Sequence, residues 1–404
     1  ALALLVGTAC SAQQPADRQA AERGPQGPQP AGANNPVSKD SPAEPSIRNV
    51  PATTGHANLP LTPPPFAVTE IGRFDQPVAI AMLPGGAALI TEKPGHLKLR
   101  AADGKVGDVA GVPAVQLSSQ GGLLAVALAP DYAASHTIYL SYSEPRPNGG
   151  SSLALMKAVL DGARLTGQRV IWRAGSDGPG GQFGGAITFA PDGKSLFLSS
   201  GERQRFMPAQ DPEQALGKIL HLTLDGAAWR GNPRYKAGGV RAQTWTLGHR
   251  NPYGLAFTPD GRLWEVEMGP KGGDELNLIQ PGRNYGWPIV SNGDNYSGAP
   301  IPDHPSKPEF AAPKLWWTPT ISPGGLIVYS GAMFPQYKGS LLIAGMSGKA
   351  LVRVTLNGDK ATPANQWDMG FRVRGLAQAA DGAIWLVEDG GRGAEGRLFR
   401  LSRK

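Results

Sequence analysis

The sequence predicts an all-β fold, a six-bladed β-propeller preceded by a disordered N-terminal tether. Three observations carry this prediction. The chain holds 55 Gly and 38 Pro in 404 residues, a density that turns the backbone often, as many short strands require. No long stretch keeps a helical period. A single theme also recurs through the body: an apolar strand, a Pro-Asp-Gly-like turn, then a strand rich in β-branched and aromatic residues.

The tether comes first. Residues 1–9 are small and apolar, and Cys10-Ser11 opens a long polar tract. Residues 1–10 therefore read as the end of a bacterial lipoprotein signal peptide, with Cys10 as the lipid-bearing residue. Gly7 stands where such sites usually carry leucine, so a plain secretory signal with a nearby cut is the alternative. Both readings place the protein on the periplasmic side of a bacterial envelope, and the lipobox reading anchors it there by lipid. No segment is long and apolar enough to span a bilayer. Cys10 is the only cysteine, which excludes an internal disulfide, a CxxCH haem site and a cysteine-based zinc site. Residues 11–65 are rich in Pro, Ala, Gln, Ser and Asn and too poor in large apolar side chains to bury a core, so they read as a linker.

The folded body is expected over residues 66–404. The turn theme appears at Met82–Gly86, Leu128–Asp131, Phe189–Gly193, Phe257–Gly261, Met333–Pro335 and Ala379–Gly382. Six copies at intervals of roughly 45 to 75 residues suit propeller blades carrying insertions. Blade strands are expected to alternate around a central channel, with ligands on the loops at one mouth. A β-sandwich of this length with so regular a turn theme is the weaker alternative.

The net charge of +7 is spread along the chain without a basic run interleaved with aromatics, so nucleic acid is not an expected partner. Special chemistry is instead concentrated between Leu247 and Pro288. There Gly248-His249-Arg250-Asn251-Pro252 is followed by Gly269-Pro270-Lys271-Gly272-Gly273-Asp274-Glu275, then by Asn284-Tyr285-Gly286-Trp287-Pro288. Glycine-bent backbone able to aim carbonyls inward, beside two adjacent carboxylates, is an oxygen set that suits a hard cation such as calcium. An acidic Gly-rich loop without a metal is the competing reading, since this is not the EF-hand pattern.

These three motifs together resemble the soluble pyrroloquinoline quinone (PQQ) sugar dehydrogenases, and more narrowly the aldose sugar dehydrogenase branch of the glucose/sorbosone dehydrogenase family. The resemblance runs from about Phe66 to Leu401. It takes in Thr91–Gly95, Gln120–Leu124, Leu216–Leu220 and Pro319–Pro323. It implies a six-bladed propeller holding PQQ over one mouth with calcium. The implied reaction oxidises an aldose sugar to its lactone and passes electrons to an external acceptor, a cytochrome or a membrane quinone. By the same resemblance Arg250 and Asn251 contact the quinone and Arg372 and Arg374 reach its carboxylates, for which arginine forks are well shaped. Thr320 matches a further cofactor contact, and Lys349 lies near a family lysine, out of register. Main-chain oxygens of Gly269 and Pro270 match the ligands of the cofactor's calcium. Glu275 and Tyr285 match a second, structural calcium, and Asp274 is expected to orient the loop.

One departure bears on catalysis. The family's general base is a histidine ahead of an aromatic-Gly-Gly element, and this chain carries Gln182 before Phe183-Gly184-Gly185. A glutamine amide can position a hydroxyl but has no useful basicity. Neighbouring positions differ too, at Ala125, Ala186 and Met268. Glu202 and Asp211 occupy a segment that faces the cofactor in relatives, and either is a candidate replacement base. His249 belongs to the family motif and is expected to be structural. The sequence thus leaves two functional readings, a PQQ sugar dehydrogenase or a propeller that binds PQQ or sugar without turnover. A calcium-dependent hydrolase on the same fold is a third, opposed by the Arg250-Asn251 motif. The sugar-selecting surface is expected in residues 292–307 and at Trp316-Trp317, whose rings suit either a sugar face or the blade core.

Overall fold

The computed structural model describes residues 55–147, 149–391 and 393–404. The expected signal segment and residues 11–54 of the linker lie outside the described residues. The body is a ring of six four-stranded antiparallel sheets. Their inner strands are Pro77–Met82, Leu123–Leu128, Gly184–Phe189, Pro252–Phe257, Pro323–Val328 and Val373–Gln378. The sixth sheet is closed by both ends of the body: Ala67–Asp75 pairs with Glu395–Ser402, with Ala67 opposite Ser402 and Asp75 opposite Glu395. Ring closure therefore rests on a ladder between the first and last strands.

The second strands depart from simple alternation. Ala88–Glu92, Leu263–Glu267 and Leu341–Gly345 are buried at every position, because neighbouring blades cover both faces of each sheet. Between the fourth and fifth blades, for example, Ala256, Trp264, Val266 and Leu276 meet Leu326, Ile343 and Val352. Each large side chain so enclosed stabilises the fold by about 1.5–3 kcal/mol.

The recurrent turns follow the inner strands. Gly193, Gly261 and Gly382 have φ of 70°, 84° and 85°, a left-handed conformation that favours glycine. Their N–H groups close the turns onto Ala190, Thr258 and Ala379 at 2.8, 2.9 and 2.9 Å. Asp192 and Asp381 accept from the amides of Lys194 and Ala383 at 3.0 and 2.9 Å. These turns occupy one end of the ring. At the other end every inner strand has a register shift at its first pairs, from Pro77/Ala79 round to Val373/Gly375. Such bulges bend a strand and re-aim its side chains. All six do so where the motif loops gather.

The boundary expected at residue 65 needs correction. Residues 55–65 lie on the propeller: Ala57 is buried, His56 bridges to Trp316, and Thr62 bridges to Trp367. Composition missed this because the contacts are made by main chain and short polar side chains, which need no apolar pattern.

Candidate active site at the mouth of the propeller

The mouth is assembled around Arg250 and Asn251, which immediately precede the inner strand of the fourth blade. Their backbone is fixed by Glu267, whose Oε2 accepts from Arg250 N and from Asn251 N, the latter at 3.1 Å. Glu267 Oε1 lies 3.0 Å from His249 Nδ1, and His249 Nε2 lies 2.9 Å from Thr246 Oγ1. His249 is fully buried in this chain of contacts. It is a scaffold for the arginine, not a base facing substrate.

Arg250 is itself buried, at 3% exposure. Its Nη1 donates to the carbonyls of Met268 and Gly269 at 3.0 and 2.6 Å, and its Nη2 donates to the Tyr296 hydroxyl at 3.4 Å. The guanidinium lies over the rings of Trp287 and Tyr296, 5.2 and 5.9 Å from their centroids. It forms no ion pair with any described carboxylate, and its Nε has no partner among the described residues. The charge of this buried guanidinium is felt by the buried carboxylates of Glu202 and Asp274, and its Nε is the one donor left without a partner among the described residues.

Gln182 faces the same arginine. The hydrogen-bond network assigns its amide so that Nε2 donates to Glu202 Oε1 and Oε1 accepts from Arg250 Nη2 at 2.8 Å. Its backbone adopts φ 55°, and its N–H donates to Gln120 Oε1 at 2.9 Å. Gln120 Oε1 also accepts from Asn251 Nδ2 at 3.3 Å and from the Tyr253 hydroxyl at 3.1 Å. Gln120 thus ties the second, third and fourth blades together at the axis.

The structure separates the two carboxylates proposed as bases. Asp211 caps the amide of Glu213 at 2.9 Å and holds Gln214, away from Gln182. Glu202 lies directly behind Gln182, with no exposed surface. Burial pushes its carboxyl above the ordinary range, opposed by the charge of Arg250 and by backbone donors. Those donors are the amides of Gln204, Arg205 and Phe206. With the Gln182 amide they make four N–H bonds, which fill the four lone-pair sites of a carboxylate. Glu202 is therefore an anchor. Alongside it, Arg203 stacks 3.8 Å from the Phe183 ring centroid and clamps the preceding loop, donating to the carbonyls of Gly181, Ser151, Gly178 and Gly180 at 2.9 to 3.1 Å.

The Gly-rich loop is held by Asp274. Its Oδ1 accepts from Gly269 N at 2.9 Å, and its Oδ2 accepts from Ser322 N at 2.6 Å and from the Thr320 hydroxyl. Full burial pushes this carboxyl up to about 6. Below the loop a cavity of about 10 Å³ is lined by Arg250, Glu267, Gly269, Glu275, Tyr285 and Ser291, among others. That is room for a single water or bare ion. Glu275 Oε2 accepts from Asn277 Nδ2 at 3.1 Å, while Oε1 lies 3.3 Å from His304 Nε2. Tyr285 donates its hydroxyl away, to Leu278 O at 2.6 Å, so its main chain is the part available to an ion. Buried carboxylates and carbonyls around an ion-sized space fit calcium. His249, Glu265 and Glu267 form a second buried group whose ligand atoms lie within 4.8 Å of one another.

The last two blades supply the outer cations. Arg374 lies over the Tyr253 ring at 5.2 Å, and its buried Nη2 has no partner among the described residues. Arg372 is engaged by Asp389 at 2.8 Å, and Lys349 is exposed at φ 46°. Arg374 thus keeps a donor without a partner among the described residues, whereas Arg372 must exchange one to meet an anion. Trp317 is fully buried and Trp316 is covered by the His56 ring, which resolves that pair as blade core. Tyr296, from the 292–307 loop, does reach the site. Gln120, Glu202, Tyr253, Glu267 and His304 complete the surroundings. Of these, Gln120 and Tyr253 stand in the sequence motifs, Glu202 was a candidate base and His304 falls within the 292–307 loop, while Glu267 carried no signal beyond being a polar residue near a motif.

The family model for glucose/sorbosone dehydrogenases matches residues 74–400. Aldose sugar dehydrogenase YliI of Escherichia coli is 37% identical over 343 residues, covering 82% of this chain and 91% of that protein. The solved apo-form of the soluble E. coli aldose sugar dehydrogenase superposes with a TM-score of 0.77 at 35% identity, covering 84% of this chain and all of that one. The PQQ-bound aldose sugar dehydrogenase from Streptomyces coelicolor gives 0.68 at 29% identity, with 84% and 99% covered. The buried arginine, the Asp274-held glycine loop and the closed six-sheet ring thus belong to a member of the glucose/sorbosone dehydrogenase family.

Proposed function

We propose that this protein oxidises an aldose sugar to its lactone with PQQ and calcium, passing the electrons to an external acceptor such as a cytochrome or membrane quinone. The observation that carries the reading is Arg250: a buried guanidinium without a carboxylate partner, beside an ion-sized cavity edged by Glu267 and Glu275. A carboxylate of the quinone would pair with the Arg250 guanidinium, and a cation would pair with the carboxylates at the cavity. Arg250, Asn251, Thr320 and Arg374 would hold the cofactor, with Arg372 and Lys349 at the rim. The carbonyls of Gly269 and Pro270 would face its calcium, Gly269 O exchanging its Arg250 donor for the ion, and Glu275 with the Tyr285 main chain would hold the structural one. When bound, the quinone supplies the hydride acceptor. The chain's own part is to fix the sugar and to manage the hydroxyl proton. Gln182 Oε1 can accept a hydrogen bond from that hydroxyl, but it cannot take the proton.

That last point supports the second reading, a propeller that binds quinone or sugar with little turnover. Glu202 has all four acceptor sites engaged, so it offers no free base beside Gln182. Loss of a general base costs a factor of roughly 10² to 10⁴. Sugar-dependent dye reduction by protein loaded with calcium and PQQ decides between the readings. Turnover above that of the quinone alone supports the enzyme, and quinone uptake without turnover supports the binding protein. Export and lipid attachment at Cys10 belong to the same proposal, and metabolic labelling with a fatty acid, lost in Cys10→Ala, tests them.

A further inference from the structure

The segment from Gly55 to Thr62 lies outside the ladder that closes the ring, yet it is bound to the blades that carry the glycine loop. Ala57 N donates to Trp316 O, and Trp316 N donates to Gly55 O, both at 2.8 Å. Further on, Thr62 N donates to Gln366 O at 3.0 Å, and Asp368 N donates to Thr62 O at 2.8 Å. These bonds strap the segment across the outer edges of the fourth and fifth sheets. Between the two attachment points, Asn58 grips the connection between those blades. Its Oδ1 accepts from Thr318 N at 2.8 Å and its Nδ2 donates to Pro319 O at 3.0 Å. His56 Nε2 adds a contact to Thr318 O at 3.0 Å.

The gripped residues lead straight to the site. Thr318 Oγ1 accepts from Gly273 N at 2.9 Å. Two residues on, the Thr320 hydroxyl donates to Asp274, whose other oxygen accepts from Gly269 N at 2.9 Å. Hydrogen bonds at either end of the Thr318–Thr320 main chain therefore connect Asn58 to both ends of the loop that presents the Gly269 and Pro270 carbonyls. Asn58 is a two-point clamp on the segment that crosses between the two blades. Because Ala67–Asp75 already closes the propeller with Glu395–Ser402, the strap is not required for closure.

We infer that Asn58 is a positioning residue for the quinone-and-calcium loop, acting through Thr318–Thr320 and Asp274. This rests on the proposed function for its consequence in cofactor binding, but not for its consequence in the loop. The two Asn58 bonds, from and to neutral backbone groups, are of ordinary net strength. Coupled in part to the loop, their loss corresponds to a weakening of PQQ binding by roughly five- to tenfold.

The test compares wild-type protein with Asn58→Ala in calcium, by PQQ titration and by amide hydrogen exchange. The expected result is a PQQ Kd raised about five- to tenfold, with kcat at saturating quinone within twofold of wild type. Amide protection should fall over residues 269–274 and 318–322 and stay unchanged in the first and second blades, far round the ring. If Asn58→Ala does not accumulate, Asn58→Asp keeps the acceptor for Thr318 N and removes only the donor to Pro319 O, and it should show the same pattern more weakly. A Kd within twofold of wild type together with unchanged exchange at 269–274 overturns the inference, even if thermal stability falls. Wild-type protein that takes up no PQQ overturns the proposed function instead, and the exchange pattern alone then decides whether Asn58 positions the loop.

Discussion

Replacing Gln182 with histidine should restore a proton acceptor to a site that is otherwise arranged to hold one. The residue sits at φ 55°, a left-handed conformation that histidine tolerates better than most side chains. Behind it, Glu202 presently accepts the Gln182 amide. An imidazole placed there can donate Nδ1–H to the same carboxylate and turn Nε2 toward the mouth. A positioned general base contributes a factor of about 10² to 10⁴, or roughly 2.7–5.5 kcal/mol of barrier. Some of this is offset, because Arg250 Nη2 loses its 2.8 Å acceptor in the amide and disfavours the imidazolium. The expected gain in kcat for aldose oxidation is therefore near the lower figure, about a hundredfold. The assay is stopped-flow or dye-linked sugar oxidation by calcium- and PQQ-loaded protein, with quinone occupancy measured separately. The variant should also acquire an acid limb between about pH 6 and 7, where an imidazole loses its basicity. Full quinone occupancy with no gain in turnover at any pH would refute the placement of Gln182 at the base position.

Arg250→Lys should weaken PQQ binding by at least tenfold, because a lysine offers no fork for a carboxylate and cannot keep both carbonyl contacts; equal titration curves for the two proteins contradict this. Glu265 is fully buried beside Glu267, and burial together with that neighbour drives its carboxyl well above the ordinary range. Glu265→Gln should then be neutral or stabilising by about 1–2 kcal/mol in chelator-treated protein. Denaturant unfolding of the chelator-treated protein that shows a loss of about 2 kcal/mol or more would contradict a protonated Glu265. Burial pulls the His221 imidazole down to about 4. Between that value and the unfolded pKa near 6.5 only the unfolded chain binds the proton, so stability should rise with pH across this window, by at most about 3 kcal/mol. His221→Phe should flatten that slope, and an unaltered slope places the acid sensitivity elsewhere.

The architecture was legible because its signal is repeated. Related Pro-, Asp- and Gly-bearing turns recur with each blade, and Gly193, Gly261 and Gly382 adopt the left-handed turn conformation for which glycine is suited. The motif loops were legible for a related reason: Gly269, Gly273 and Asp274 show unusual chemistry within a few residues. What the sequence did not disclose depends on partners distant in the chain. Glu267 reads as one more polar residue in a strand, yet it fixes the Arg250 and Asn251 amides. Gln120 gathers Gln182, Asn251 and Tyr253 from two other blades. Glu202 and Asp211 looked equivalent in sequence and separate only because the loop after Gly201 folds its own amides onto one of them. Residues 55–65 resemble a linker in composition, and their docking depends on main-chain ladders and on Asn58.

The proposed occupant of the mouth around Arg250 is a quinone tricarboxylate held with calcium. Equilibrium titration of PQQ into the calcium-loaded protein tests it most directly. Saturation at one quinone per chain is expected, lost on calcium chelation and weakened in Arg250→Lys. Absence of saturable binding, or binding indifferent to both calcium and Arg250, would contradict it.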